Sequence, residues 1–160
     1  YNVPGRTGMS MSLKAIEELA KHPNICGIKE ASGNISYSSK VAKFISDDFA
    51  MYSGNDDIIV PMMSIGAMGV ISVVANIAPK QTQKIVDLCL EGKYIEANVI
   101  QQELLDTIND LFIEVNPIPV KAAMNYLGFN VGGYRMPLDE PSLESKRLIE
   151  EAAYCFFEEE

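Results

Sequence analysis

Between Ile25 and Val74 the sequence alternates short apolar runs with amphipathic stretches, and this rhythm restricts the fold more than any other feature. Ile25 to Lys29 reads as a strand and a helix is expected over about Ser36 to Ile45, with Val41, Phe44 and Ile45 facing inward. Phe49 to Ser53 is the next strand, stopped by Gly54-Asn55-Asp56; Asp56 or Asp57 then caps an apolar helix running to Ile65. Gly69 to Val74 follows as a β-branched run of the kind buried in parallel sheets. A parallel sheet built from such strands alone leaves unpaired edges, so something must complete it. Alternating βα units with functional residues at the C-terminal strand ends are the pattern of a TIM barrel, whose usual length is about 250 residues. The reading is therefore α/β: the second half of a (β/α)8 barrel over residues 1–92, followed by a helical C-terminal domain over 93–160. A doubly wound open sheet is the alternative, and no GxGxxG loop supports it.

The segment Ile25-Cys26-Gly27-Ile28-Lys29-Glu30-Ala31-Ser32-Gly33 is where chemistry is expected. Strand alternation places Ile25, Gly27 and Lys29 on one face and Cys26, Ile28 and Glu30 on the other. Glu30 therefore does not sit beside the amine as its salt-bridge partner, and Gly27 leaves room for the lysine stem or a small substrate. Burial at a strand end disfavours an ammonium, and a neutral amine is a nucleophile that forms a Schiff base with a ketone or aldehyde. The plainer reading of the strand alone is a lysine whose stem lies on apolar surface while its head reaches water.

The rest of the chain frames that strand. Tyr1 to Gly8 reads as the tail of a strand passing into a Pro-Gly loop, and Ser10 or Ser12 caps a helix to about Lys21 with Leu13, Ile16, Leu19 and Ala20 as its stripe. Pro79 to Leu90 is a helix with Gly92 just past its end. A long helix is expected from about Lys93 to Glu114, then a break at Asn116-Pro117-Ile118-Pro119, a helix from Val120 to Leu127, and a last one from Leu143 to Phe157. His22 precedes a proline and reads as a helix-end residue; Met62, Met63 and Met68 read as core filler; Glu158 to Glu160 reads as a solvated tail.

Composition narrows the function classes. A net charge of -9 without a basic run argues against nucleic acid and anionic membranes as partners. The 3 cysteines, Cys26, Cys89 and Cys155, form no CxxC pair, and neither they nor the Asp56-Asp57 pair has ligand spacing, so no metal site is expected. An odd thiol count, no signal peptide and no membrane span favour a cytoplasmic protein. The sequence opens on Tyr1 in the middle of a motif, which is expected of the later part of a longer chain.

Tyr1-Asn2-Val3-Pro4-Gly5-Arg6-Thr7-Gly8, Gly27-Ile28-Lys29-Glu30-Ala31-Ser32-Gly33, Ser53-Gly54-Asn55-Asp56, Gly69-Val70-Ile71-Ser72-Val73 and Asn116-Pro117-Ile118-Pro119, in that order, resemble the dihydrodipicolinate synthase family of pyruvate-dependent lysine aldolases. The resemblance runs from Tyr1 to the C-terminal helix. It implies that Lys29 forms a Schiff base with pyruvate, whose enamine attacks the aldehyde of aspartate semialdehyde before cyclisation to 4-hydroxy-tetrahydrodipicolinate, a precursor of diaminopimelate and lysine. It implies Tyr1 as the general acid/base, Arg6 as the grip on the carboxylate of aspartate semialdehyde, and backbone groups at Gly54 and Ile71 as the lining of the pyruvate pocket. Asn2 and Thr7 shape the loop rather than react. No cofactor is implied, and the assembly implied is a homotetramer. A threonine and a second tyrosine that partner the catalytic phenol in the family belong to the first half of the barrel, outside these residues, so the fragment alone is expected to be inactive. Two other readings stand beside this one. One is an N-acetylneuraminate lyase or 2-keto-3-deoxy sugar acid aldolase, from which Gly5-Arg6-Thr7 separates the chain; the other is an inactive half-barrel serving as an assembly piece.

Overall fold

Strand β1 (Gly27–Glu30) alternates half-buried and buried residues, with Gly27 and Lys29 on one face and Ile28 and Glu30 on the other. In this computed structural model, which describes residues 1–154 and 156, β1 pairs in parallel with β2 (Ala50–Ser53), Lys29 opposite Tyr52 and Glu30 opposite Ser53. Single-residue parallel bridges extend the pairing on both sides, Asn2 to Glu30 and Ser53 to Val70. Among the described residues the strand positions thus follow chain order, Asn2, β1, β2, Val70, and their C-terminal ends lie along one rim.

Helices join these strands, and local chemistry sets their ends. The expected Pro-Gly loop is instead one helical turn, α1 (Pro4–Thr7), opened by proline, which needs no N–H there. Gly8 closes it at φ 74°, its N–H donating to the Pro4 carbonyl at 2.9 Å. Ser12 caps α2 (Leu13–Leu19) by accepting from the Ala15 N–H, and Asn34 caps α3 (Ile35–Val41) by accepting from the Tyr37 N–H. A tight turn, Ala42–Phe44, continues α3 towards β2. Neither Asp56 nor Asp57 caps α4 (Ile59–Ser64): both fall in a 3-10 turn, Asp56–Ile58, that precedes it, and Asp56 is buried. His22 closes the turn after α2 by accepting the Asn24 N–H at Nδ1.

The expected third strand reduces to Val70. Ser53 donates its N–H to the Gly69 carbonyl and accepts from the Ile71 N–H, one step of a parallel ladder, after which the chain coils into a 3-10 turn at Val74–Asn76. Helix α5 (Pro79–Leu90) begins and ends as expected, with Gly92 at φ 78° beyond it. The single helix expected to Glu114 is two, α6 (Tyr94–Glu103) and α7 (Leu105–Asp110). Backbone bonds from Leu104 to Ile100 and from Ile108 to Leu104 carry the chain across the join, and no proline or glycine marks it. Helices α8 (Ile118–Tyr126) and α9 (Leu143–Tyr154) complete the order. The expectations for Phe157, Cys155 and Glu158 to Glu160 lie outside the described residues.

The chain divides into two compact units, one of Tyr1–Ser72 with Lys84–Asn98 and one of Val73–Gln83 with Val99–Glu160. The first centres on Ile16, Val41, Phe49, Met51, Ile59, Met62 and Ile85, all fully buried. Burying side chains of this size stabilises by about 1.5–3 kcal/mol each. Met68, expected in the core, is exposed; it lies ahead of the single bridge at Val70, its N–H donating to the Met51 carbonyl within β2 at 2.8 Å. The second unit packs Leu104, Ile108, Leu111, Ile118, Val120, Ala123 and Ile149. No helix among the described residues is long and apolar enough to cross a membrane.

Candidate active site

Lys29 and Tyr1 meet because their strands are neighbours. The Asn2 N–H donates to the Lys29 carbonyl and the Ala31 N–H to the Asn2 carbonyl, both at 2.9 Å, which sets Tyr1 beside Lys29 at the strand rim. The Lys29 Nζ stands 4.5 Å from the centroid of the Tyr1 ring, within the range in which an ammonium is attracted to an aromatic face. Among the described residues no carboxylate forms an ion pair with Lys29, in contrast to Lys21, Lys93, Lys146 and Arg147. Lys29 is half-buried and Tyr1 is 63% exposed.

The room for the lysine stem comes from Gly54 rather than from Gly27. A Cβ on Gly54 would lie 3.1 Å from both Cγ and Cε of Lys29 and 2.5 Å from the Ala31 Cβ, so only glycine lets the stem pass. A Cβ on Gly27 would meet the backbone carbonyl oxygen of Ala50 at 2.6 Å; that glycine admits the neighbouring strand, not the lysine. The Gly54 N–H donates to the Glu30 carbonyl at 2.8 Å and so continues the rim. Ile71 joins it through the Ser53 carbonyl and is 47% exposed, a rim residue rather than a core one. Arg6 lies exposed on α1, in the turn that follows Tyr1, and Thr7 donates its hydroxyl to the Met9 carbonyl at 2.9 Å.

Behind the rim lies a polar cluster that strand patterning did not anticipate. Asn2 and Glu30 are each 1% exposed, and the Asn2 amide donates to Glu30 Oε2 at 2.7 Å. Glu30 Oε1 accepts the Ser32 N–H at 2.6 Å, and Asn2 Oδ1 accepts the Met11 N–H at 3.0 Å. The Tyr37 hydroxyl donates to the Met11 carbonyl at 2.7 Å; burial, with the Glu30 charge behind it, pushes that phenol above its ordinary value. The signal available in sequence was parity: Glu30 shares its strand face with Ile28, a position that ordinarily takes an apolar side chain. Among the described residues no group of His, Cys, Asp and Glu side chains is arranged to hold a metal ion.

Comparison with known proteins agrees with this geometry. The sequence pattern of the Dihydrodipicolinate synthetase family matches residues 1–154. The 4-hydroxy-tetrahydrodipicolinate synthase of Caldicellulosiruptor saccharolyticus is 50% identical over 152 residues, which cover 95% of this chain and 51% of that protein. The enzyme of that name from Clostridium perfringens is 47% identical over 151 residues, 94% and 52% of the two chains. Among solved structures, dihydrodipicolinate synthase from Aquifex aeolicus superposes with a TM-score of 0.93 at 37% identity, covering 98% of this chain and 54% of that one. The Cyanidioschyzon merolae enzyme with lysine bound gives 0.92 at 36%, covering 98% and 53%. The chain spans about half the length of the curated relatives it matches, their C-terminal part. With strand positions in barrel order, a lysine and a tyrosine at their rim and a match over nearly all of its described length, the chain belongs to the dihydrodipicolinate synthetase family and folds as the second half of its TIM barrel followed by helices.

Proposed function

We propose that a full-length protein carrying this sequence as its second half condenses pyruvate with aspartate semialdehyde to 4-hydroxy-tetrahydrodipicolinate. The observation that carries the reading is the placement of the Lys29 amine at the C-terminal rim of the strands, 4.5 Å from the Tyr1 ring centroid and without a carboxylate partner among the described residues. In the neutral form the Lys29 amine attacks the keto carbon of pyruvate, water leaves, and an imine links the two. Loss of a proton from the pyruvate methyl gives an enamine, whose carbon attacks the aldehyde. The amino group of the second substrate then displaces Lys29 from the imine carbon, which closes the ring and frees the enzyme. Tyr1 carries protons between these steps. Arg6, a planar fork of donors on α1, suits the carboxylate of aspartate semialdehyde, and the backbone at Gly54 and Ile71 lines the pyruvate pocket. The protonated imine formed on Lys29 is itself the electron sink, so the chemistry requires no cofactor. On this reading the barrel half runs over residues 1–92 and the helical extension over 93–160. The working form is a cytoplasmic homotetramer.

Borohydride reduction in the presence of pyruvate tests the reading. The expected result is a stable mass increase on Lys29 and turnover with aspartate semialdehyde. Trapping without that turnover, together with cleavage of N-acetylneuraminate, would replace the substrate assignment by the sugar-acid lyase; no added mass on Lys29 in the full-length protein would overturn the Schiff-base reading and leave an assembly role.

A further inference from the structure

A carboxyl and an amide are buried side by side directly behind the lysine and the tyrosine. Glu30 follows Lys29 and Asn2 follows Tyr1, so each member of the buried pair is one residue from a member of the rim pair and on the opposite face of its strand. Among the described residues only one bridge joins the strand tail at Asn2 to β1, made by the two 2.9 Å backbone bonds around Asn2. A pairing that short specifies its register weakly, and a slip of one residue would turn Tyr1 away from Lys29. The side chains supply what the backbone lacks. Asn2 Oδ1 takes the Met11 N–H, which turns its NH2 towards Glu30, and the two Glu30 oxygens then accept one donor each, from Asn2 and from Ser32. In the low-dielectric interior the arrangement is stable only when complete, because any member left unpaired carries its full desolvation cost. An apolar pair at these positions would fill the space without fixing which residues face which.

We propose that the Asn2–Glu30 pair is the device that holds Tyr1 in register against Lys29, with Glu30 as a positioning residue for imine chemistry at the rim. The inference rests on the lysine aldolase reading above.

Donor and acceptor roles make it testable by a swap. Glu30→Gln places an NH2 where two donors converge, and Asn2→Asp sets a carboxylate against a carboxyl. The double variant Asn2→Asp/Glu30→Gln reverses the roles: the new carboxylate accepts from the Met11 N–H and from the new amide, whose oxygen accepts from the Ser32 N–H. In the full-length protein, borohydride trapping with pyruvate counts the competent sites, and turnover is expressed per trapped site so that a loss of folded protein cancels. The expected result is a per-site kcat about 10²-fold lower in each single variant, the scale set by a misplacement near 1 Å, with the pyruvate KM little changed and the pH profile of kcat displaced. In the double variant most of the rate and the parental pH profile return. Should the single variants fail to fold, the double variant alone decides: parental per-site turnover supports the proposal and a folded, trappable but slow protein overturns it. Unchanged per-site rate and pH profile in Glu30→Gln overturn the positioning role while the lysine reading survives. A parent that gains no pyruvate mass overturns both.

Discussion

The Lys29–Tyr1 pair, to which we assign the chemistry, has a counterpart among the described residues that is tied into the fold. In the second unit Lys121, on α8, stands with its Nζ 5.5 Å from the centroid of the Tyr134 ring. There the polar ends are satisfied within the fold: the Lys121 Nζ donates to the Gly133 carbonyl, and the Tyr134 hydroxyl donates to the Ile118 carbonyl at 3.3 Å. The Lys29–Tyr1 pair has the same side chains at 4.5 Å, on a strand rim, with Tyr1 exposed. An ammonium over an aromatic ring is thus not in itself a mark of catalysis. What separates a staple from a reactive pair is where the remaining donors go, and a lysine held by a backbone carbonyl has already given its nitrogen a structural task.

The largest expected effect breaks the comparison outright. Lys29→Ala removes the amine proposed to carry pyruvate covalently, so borohydride trapping and condensation both vanish in the full-length protein. Lys121→Met in the same background keeps the full pyruvate mass increase and the parental turnover. Loss of trapping in Lys121→Met, or its survival in Lys29→Ala, would exchange the roles of the two pairs.

Tyr1→Phe comes next. The aromatic face that attracts the Lys29 ammonium stays, and only the hydroxyl is lost, so pyruvate still traps while kcat falls by about 10²–10⁴-fold, the range of one general acid/base. A phenylalanine variant that turns over at the parental rate would reduce Tyr1 to a cation-binding ring, like Tyr134. Gly54→Ala follows with a smaller loss. Its Cβ would stand 2.5 Å from Ala31 Cβ and 3.1 Å from the Lys29 stem, forcing one of them aside. Strain of that kind destabilises by about 1–3 kcal/mol, and a displaced amine lowers the rate by up to about 10²-fold; rapid-quench trapping should show slower imine formation.

Gly54 also marks what the sequence could tell and what it could not. Alternation along β1 correctly separated Lys29 from Glu30, since side chains two apart share a face whatever the partner strand does. It also singled out Gly27 as the space-maker, and there it failed. The atoms beside the lysine stem belong to the rim after the next strand, and which residue arrives there depends on register, Glu30 opposite Ser53, which no spacing within one strand encodes. Helix starts at Ser12 and Pro79 were legible for the opposite reason, because such signals act on backbone within three residues of themselves; the Asn34 cap, of the same kind, was passed over for a start near Ser36. The Asn2–Glu30 pair joins side chains 28 residues apart. A polar residue at an apolar parity was visible, but its partner was not. The apolar neighbours of Ile71 suggest a core position, whereas it stands where the strands end and is exposed.

The smallest effect sharpens the structural half of the comparison. Tyr134→Phe removes the hydrogen bond to Ile118, a net loss of about 0.5–1.5 kcal/mol, and leaves pyruvate trapping untouched. The Tyr134 phenol is pushed above its ordinary value, first by burial and then by the charges of Glu140 and Glu114. The unfolded chain releases that proton near pH ~10, while the folded chain still holds it. Above that pH the unfolded state binds fewer protons than the native state, so the stabilisation linked to the phenol is complete below pH ~10 and is lost as pH rises through the folded value. The phenylalanine variant has no such proton to lose. The difference in urea midpoint between parent and variant should therefore narrow as the pH is raised from about 8 to about 11. Tyr37, whose phenol is also raised, is present in both proteins and cancels. A difference that stays constant or widens would mean that Tyr134 is as open to water as Tyr1, and the contrast between a satisfied pair and an available one would lose its physical basis.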